Sequence, residues 1–317
     1  MGIVHSCILN VMPDVELAAL CEKSAMTRRL LKRVFSGVQI IDDVTNMVDF
    51  NLDAVYVTTP IVSHYWVVKA VSKENVARNL FVEKTLASNP EEAKELCQLA
   101  SNSGGVNMVG YLRRFYVTFR KVKDLLSQGV VGQLSSFKAY AYSSDFLGVE
   151  SDMTASRGGV LRDLGCHAVD LALWFFGDLE VCWTRPASPN SDDTDDSVNF
   201  KVKCQDGLDG EFGVSWRAEG YRMSEVGFSI VGSKGDIVVN DDKVELVLQN
   251  GKKSVWYRHD LDDNVPFWLA LPEYYREDQC FVKSIMDSVT AEPSFLSGSK
   301  VDGIIGQVEK RAGGQDS

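Results

Sequence analysis

The order of elements along this chain predicts an α/β fold in two parts: a doubly wound parallel sheet over residues 1–115, then an α+β domain with a large, mostly antiparallel open sheet over residues 116–317. Two observations carry this. Up to Tyr111, short β-rich runs alternate with amphipathic helical stretches, the pattern of parallel strands joined by helical crossovers. Beyond Phe115, strand-like runs follow one another with mostly turn signals between them, which makes antiparallel neighbours. At 317 residues each part has enough chain to bury its own core.

In order, Ile3–Leu9 reads as a helix, Val15–Cys21 (VELAALC) as a buried strand, and Ala25–Phe35 as a helix with a basic outer face. Val38–Ile41 is a short strand, and Ala54–Thr59 is another, ended by Pro60. His64–Val71 is helical and Leu80–Val82 a brief strand. Ser88-Asn89-Pro90-Glu91 is a capping-box start, with proline early in the first turn, for a helix to about Ala100. Asn107–Tyr111 closes the series. A Rossmann-type sheet opens with a strand and a G-x-G-x-x-G turn. Here a helix comes at once, so Gly2 is expected to be the third glycine of that turn, with the first strand and two glycines missing upstream of Met1.

In the second part a helix to about Gln128 leads into the strand Leu134–Tyr142, and Gly158-Gly159 precede a strongly helical run, Val160–Phe176. The strands Val198–Cys204, Gly210–Trp216, Phe228–Val231, Asp236–Val239 and Val244–Leu248 follow, then a late helix, Glu273–Val289. The polar stretch Pro186–Asp196 is read as a surface loop.

Composition narrows the class. Apolar residues make up 45% and charged residues 24%, as in soluble globular proteins, and no window approaches eighteen uninterrupted apolar residues. The N-terminus shows no secretory pattern, and seven dispersed cysteines without a C-x-x-C pair read as reduced thiols in a cytoplasmic protein. A net charge of −11 without a basic stripe argues against a nucleic-acid surface.

Three places offer chemistry. Glu22 ends the strand Val15–Cys21, where an acid can accept the ribose hydroxyls of a dinucleotide and repel the extra phosphate of NADP. Alone it also fits a solvated charge at a strand end, and Lys23 beside it leaves room for NADP. Lys84 follows a strand, so in an open α/β sheet it faces the crevice at the strands' carboxyl ends, although any Glu-Lys pair on a surface looks the same. The most informative stretch is GGVLRDLGCHAVDLALWFFG, from Gly158 to Gly177. Asp163, His167 and Asp170 fall at i, i+4 and i+7, on one face of an otherwise apolar helix. Buried acids and imidazoles must be paired or line a cavity, so the set is either a satisfied core cluster or an acid/base site. Gly165 in mid-helix points to a close approach to the backbone. His5, His64 and His259 lack a comparable setting, and His259 reads as a surface residue in a strand.

Together these segments resemble the glucose–fructose oxidoreductase / inositol 2-dehydrogenase (Gfo/Idh/MocA) family. Thr59-Pro60-Ile61-Val62-Ser63-His64 is similar to the family's T-P-x-x-x-H turn, which lies along the cofactor. Glu83-Lys84-Thr85 is similar to its E-K-P signature, whose lysine is catalytic, with threonine replacing proline here. Gly110–Phe115 looks like its G-[FY]-x-x-R-F segment, Gly158–Asp170 like its G-G-x-x-x-D-x-G-x-H-x-x-D helix, and Gly232–Gly235 like its G-T-x-G turn. The five follow in the family's order over nearly the whole chain.

The resemblance implies reversible hydride transfer between NAD, with NADP not excluded, and a secondary alcohol carbon of a polyol or sugar. It implies His167 as general acid/base, Asp163 as its partner and a substrate ligand, Lys84 as substrate ligand and proton relay, and Arg114 in the substrate pocket. Gly2, Glu22, Thr59, Pro60, His64, Glu83 and Lys84 are then the cofactor residues, and no metal is required. A homodimer or homotetramer through the C-terminal sheet is implied, with neither nucleic acid nor membrane as partner. The alternatives within the family are a non-catalytic dinucleotide or sugar sensor and an NAD-dependent glycoside hydrolase-like relative.

Overall fold

The computed structural model of the chain describes residues 1–145, 158–186, 196–263, 265 and 271–313. It divides into two units, Met1–Gly110 with Tyr274–Ser299, and Tyr111–Glu273 with Lys300–Ser317.

The first unit runs α1 (Gly2–Leu9), β1 (Ala19–Cys21), α2 (Ala25–Val34), β2 (Gln39–Ile41), a 3₁₀ segment (Val44–Phe50), β3 (Ala54–Val57), α3 (Ile61–Lys73), β4 (Asn79–Glu83), α4 (Pro90–Ser103) and β5 (Asn107–Gly110). Every strand pairing is parallel, as the alternation with helices requires. The strands form two pieces, β1-β2 and β3-β4-β5, and no strand among the described residues bridges β1 and β3. β4 lies between two neighbours, and all five of its residues are buried. The strand expected over Val15–Cys21 shortens to Ala19–Cys21, half-buried at its first two residues and exposed at Cys21. Among the described residues only β2 pairs with it, and β2 is itself three residues long, so the ladder ends there.

Local signals set the helix ends. Asn89 caps α4 by accepting the Glu92 N–H at 2.9 Å, and Glu92 reaches back to the Ser88 N–H. The cap is thus Asn89, with Pro90 opening the helix.

The unit is completed from far along the chain. α7 (Pro272–Met286) places the Phe281 ring edge-on against Tyr56 and Phe81, at centroid distances of 5.4 and 5.8 Å. Val109 N–H donates to the Pro293 carbonyl at 2.8 Å, and the Asn107 side-chain oxygen accepts the Phe295 N–H at 2.8 Å. A division at 115/116 leaves this returning segment in the second domain, whereas its hydrogen bonds are with β5 of the first.

In the second unit a 3₁₀ turn (Leu112–Phe115) and α5 (Val117–Ser127) lead into β6 (Leu134–Tyr142). A π-helical turn (Leu161–Gly165) and α6 (Cys166–Phe176) precede β7 (Leu179–Pro186), β8 (Ser197–Cys204), β9 (Asp209–Ser215), β10 (Glu225–Gly232), β11 (Gly235–Asn240), β12 (Lys243–Leu248) and β13 (Lys253–Tyr257). Helix α8 (Phe295–Ala312) ends the chain's described elements. The eight strands form one sheet, ordered β13-β12-β11-β10-β6-β9-β8-β7, antiparallel except between β6 and β9.

One face of that sheet is the core. Phe137, Phe200, Phe212 and Phe228 are each at most 2% exposed, and α5 and α6 cover them through Phe119, Phe175 and Phe176. The opposite face has Lys201, Glu211, Lys138, Ser229, Val238, Glu245 and Val255 in one row of directly paired residues. Val238 and Val255 stand exposed among these charges.

The sequence patterns did not mark β7, β13 or α8. β7 carries a register shift between Val181 and Trp183 that breaks its alternation, and three glycines (Gly298, Gly303, Gly306) dilute α8's helical signal. His259 lies exposed in a 3₁₀ turn (Arg258–Leu261), not in a strand. The loop expected over Pro186–Asp196 falls almost wholly outside the described residues. None of the seven cysteines is in a disulfide, and no helix among the described residues is long and apolar enough to cross a membrane.

Candidate active site

The expected site residues divide between the two units. On the first, Lys84 follows the last residue of β4 directly and is half-buried. Its neighbour Thr85 is held by His64 of α3: Nδ1 lies 2.9 Å from the Thr85 carbonyl, and Nε2 lies 2.7 Å from that of Thr59. One ring thus ties the turn after β3 to the turn after β4. Burial lowers the His64 pKa against the opposing pull of the two carbonyls, and a neutral ring donates to one of them at a time. His64, expected along the cofactor, is 1% exposed and occupied with these two backbones. Thr59 and Pro60 are exposed at the carboxyl end of β3, where open α/β sheets bind ligands.

Glu83 was also expected on the cofactor, and its carboxylate turns inward instead. Oε1 accepts from His5 Nε2 at 3.1 Å and Oε2 accepts the Lys84 N–H at 3.1 Å. Burial raises the Glu83 pKa, but hydrogen bonding and charge from His5, with help from Lys84, outweigh it and hold the group below its ordinary range. His5, whose place in the sequence gives it no evident partner, is 1% exposed and also donates through Nδ1 to Asp278 Oδ1 at 2.7 Å. Burial lowers its pKa, but the two carboxyl partners win and push it up to about 10. The available signal was a single histidine within GIVHSCIL, an apolar helix.

Two further residues fit one end of a dinucleotide. Gly2 starts α1, and a Cβ there would lie 2.9 Å from Thr58 Oγ1, so helix and strand end approach as closely as glycine allows. Glu22 directly follows β1, its N–H donating to the Ile41 carbonyl at 3.0 Å and its Oε1 accepting the Ser24 N–H at 2.7 Å. That holds a half-buried carboxylate at a strand end, where ribose hydroxyls would donate to it. A glycine turn for the pyrophosphate has no counterpart among the described residues.

On the second unit, the run expected as one α-helix begins with the π turn. Cys166 N–H donates to the Leu161 carbonyl, five residues back, and the extra residue per turn moves Asp163 off the azimuth that a continuous α-helix would give it. The i, i+4, i+7 face therefore holds only in part. Asp163 is half-buried in the π turn, while His167 is 8% exposed in the first turn of α6, with the Tyr111 ring edge-on at 6.4 Å.

Asp170 is fully buried and serves Arg114, whose Nε and Nη2 donate to its two oxygens at 2.9 and 2.7 Å. Arg114, expected in the substrate pocket, thus commits two donors to α6. Gly165 shows the close approach its position suggested: a Cβ there would meet both Val214 methyls at 3.2 Å. A half-buried acid and a buried imidazole, about one turn apart in an apolar helix, can together hold a hydroxyl and take its proton. Among the described residues, no group of three His, Cys, Asp or Glu could hold a metal ion.

Comparison with known proteins converges on one group. Residues 4–111 match the family model described as "Oxidoreductase family, NAD-binding Rossmann fold", and residues 119–238 match the "GFO/IDH/MocA C-terminal domain". An inositol 2-dehydrogenase from Rhizobium meliloti is 24% identical over 311 residues, covering 94% of this chain and 89% of that protein. A D-glucoside 3-dehydrogenase from Escherichia coli is 26% identical over 178 residues, covering 55% of this chain and half the length (50%) of that relative. Among solved structures, a levoglucosan dehydrogenase in complex with NADH and levoglucosan superposes with a TM-score of 0.88 at 20% identity, covering 100% of this chain and 95% of that one. That likeness is one of fold.

Proposed function

This chain belongs to the GFO/IDH/MocA family of oxidoreductases, whose N-terminal domain is an NAD-binding Rossmann fold, and from that premise we propose that it oxidises a secondary alcohol of a polyol or sugar. The observation that carries the reading is the placement of half-buried Asp163 about one turn ahead of buried His167 at the start of an apolar helix. Such a setting suits a proton acceptor more than a solvated surface group.

In the proposed reaction, His167 takes the hydroxyl proton while the carbinol carbon gives up its hydride, leaving a ketone. Asp163 binds the reacting or the adjacent hydroxyl and orients the imidazole. Lys84 donates a hydrogen bond to the substrate oxygen, and as relay it passes one of its own protons to solvent and takes the proton that His167 has accepted in its place. Bound NAD supplies the hydride acceptor. Glu22 accepts the ribose hydroxyls, Thr59 and Pro60 flank the cofactor from the carboxyl end of β3, and Gly2 lets α1 approach it. Arg114 steadies α6 by way of Asp170 and helps to shape the substrate pocket.

Inositols and glucosides head the substrate class, because named relatives act on them. The valines on the charged outer face of the eight-stranded sheet support self-association there as a homodimer or homotetramer. A cytoplasmic setting accords with seven cysteines outside any disulfide.

The test is a nicotinamide absorbance screen of inositols, free sugars and glycosides with NAD and NADP. Reduction of cofactor by at least one member supports the reading. Cofactor binding without reduction of any would favour a sensor.

A further inference from the structure

Behind Lys84 lies a buried chain of charge that the proposed reaction leaves without a role. His5 of α1 stands between two carboxyl groups from separate elements, Glu83 at the end of β4 and Asp278 in α7, at 3.1 and 2.7 Å. A neutral imidazole donates through one nitrogen only, so both contacts are hydrogen bonds when the ring is an imidazolium or a carboxyl carries the proton. Tyr56, Phe81 and Tyr274 surround the ring at centroid distances of 5.7, 5.1 and 5.7 Å. In such apolar walls a lone charge is costly, and a cation between two anions is compensated on both sides.

The chain continues to Lys84. Glu83 gives one oxygen to His5 and the other to the Lys84 backbone N–H. Gly110 on β5 makes room for this: a Cβ there would lie 3.1 Å from Glu83 Oε2 and 3.2 Å from the Phe81 ring. The carboxylate is therefore wedged between β5 and His5.

We propose that His5 is a positioning residue for Lys84: it fixes the Glu83 carboxylate, which in turn fixes the Lys84 backbone, while Asp278 anchors the far side of the ring. The lysine has a long, flexible side chain, so its amine is placed only as well as its Cα is held. The consequence for turnover rests on the dehydrogenase reading, but the structural claim does not.

Backbone amide exchange of the whole ¹⁵N-labelled chain tests the structural claim. In His5→Leu, the Lys84 N–H should exchange about tenfold faster or more, while Met108 and Val109 on β5 keep their protection. Asp278→Asn keeps an acceptor for Nδ1 and the His5–Glu83 contact, so Lys84 exchange should change by less than about threefold. With a substrate in hand, His5→Leu should lower kcat by about 10–10²-fold at an unchanged NAD dissociation constant. Unchanged Lys84 exchange in His5→Leu overturns the proposal. So does an equal loss of protection across β5, which makes His5 a core residue only. If the wild type reduces NAD with no polyol or sugar, the dehydrogenase reading fails, and the exchange result still decides the role of His5.

Discussion

Arg114 grips Asp170 at two points, Nε to Oδ2 at 2.9 Å and Nη2 to Oδ1 at 2.7 Å, with Asp170 fully buried. The contact joins the 3₁₀ turn ahead of α5 to α6, one helical turn beyond His167. It therefore fixes the rotation of the helix that carries the imidazole. Asp170→Leu would leave a buried guanidinium short of its partner, a loss of about 3–5 kcal/mol of stability. The urea midpoint should fall accordingly, and a midpoint equal to wild type would mean the fork is not formed in solution.

His167→Ala removes the proposed proton acceptor and changes no residue of the first unit. Turnover on the best substrate should fall by about 10²–10⁴-fold, with NAD affinity nearly unchanged. Steady-state kinetics beside a fluorescence titration separates the two quantities. Retained turnover would remove His167 from the mechanism.

Glu22 has its Oε1 held by the Ser24 N–H and presents a carboxylate at the end of β1. An anion there repels a 2′-phosphate, so NAD should bind more tightly than NADP, and Glu22→Gln should narrow the gap. Titration of both cofactors against intrinsic tryptophan fluorescence checks this. Tighter NADP binding by the wild type would reverse the assignment.

His5 also makes stability depend on pH. Its folded pKa, about 10, stands above the ordinary 6.5, so its contribution is complete below the ordinary value and fades as pH rises toward 10. Buried Asp278, whose pKa is raised mainly by burial, has the same sign at the acid end, losing stability as pH rises through the ordinary carboxylate range. The melting temperature should thus decline from about pH 7 to pH 10, and His5→Gln should flatten that decline. A wild-type melting temperature that holds level over this window would mean that His5 is not held as an imidazolium.

The α/β class, the change of texture after Phe115 and most strand positions were legible from residue order, because periods of 2 and 3.6 and turn residues act within a few neighbours. The acid and histidine in GGVLRDLGCHAVDLALWFFG were legible for the same reason: polar groups in an apolar helix stand out locally. Tertiary structure decided the rest. Arg114 and Asp170 are 56 residues apart, and His5 and Asp278 are 273 apart, so no local pattern marks either pair. The π turn under Asp163 likewise sits where Gly165 packs on Val214 of β9, a strand found later in the chain. Local sequence sets which elements form. Which buried charge meets which is settled only when distant elements pack, because a carboxylate removed from water must find its partner wherever the fold brings one.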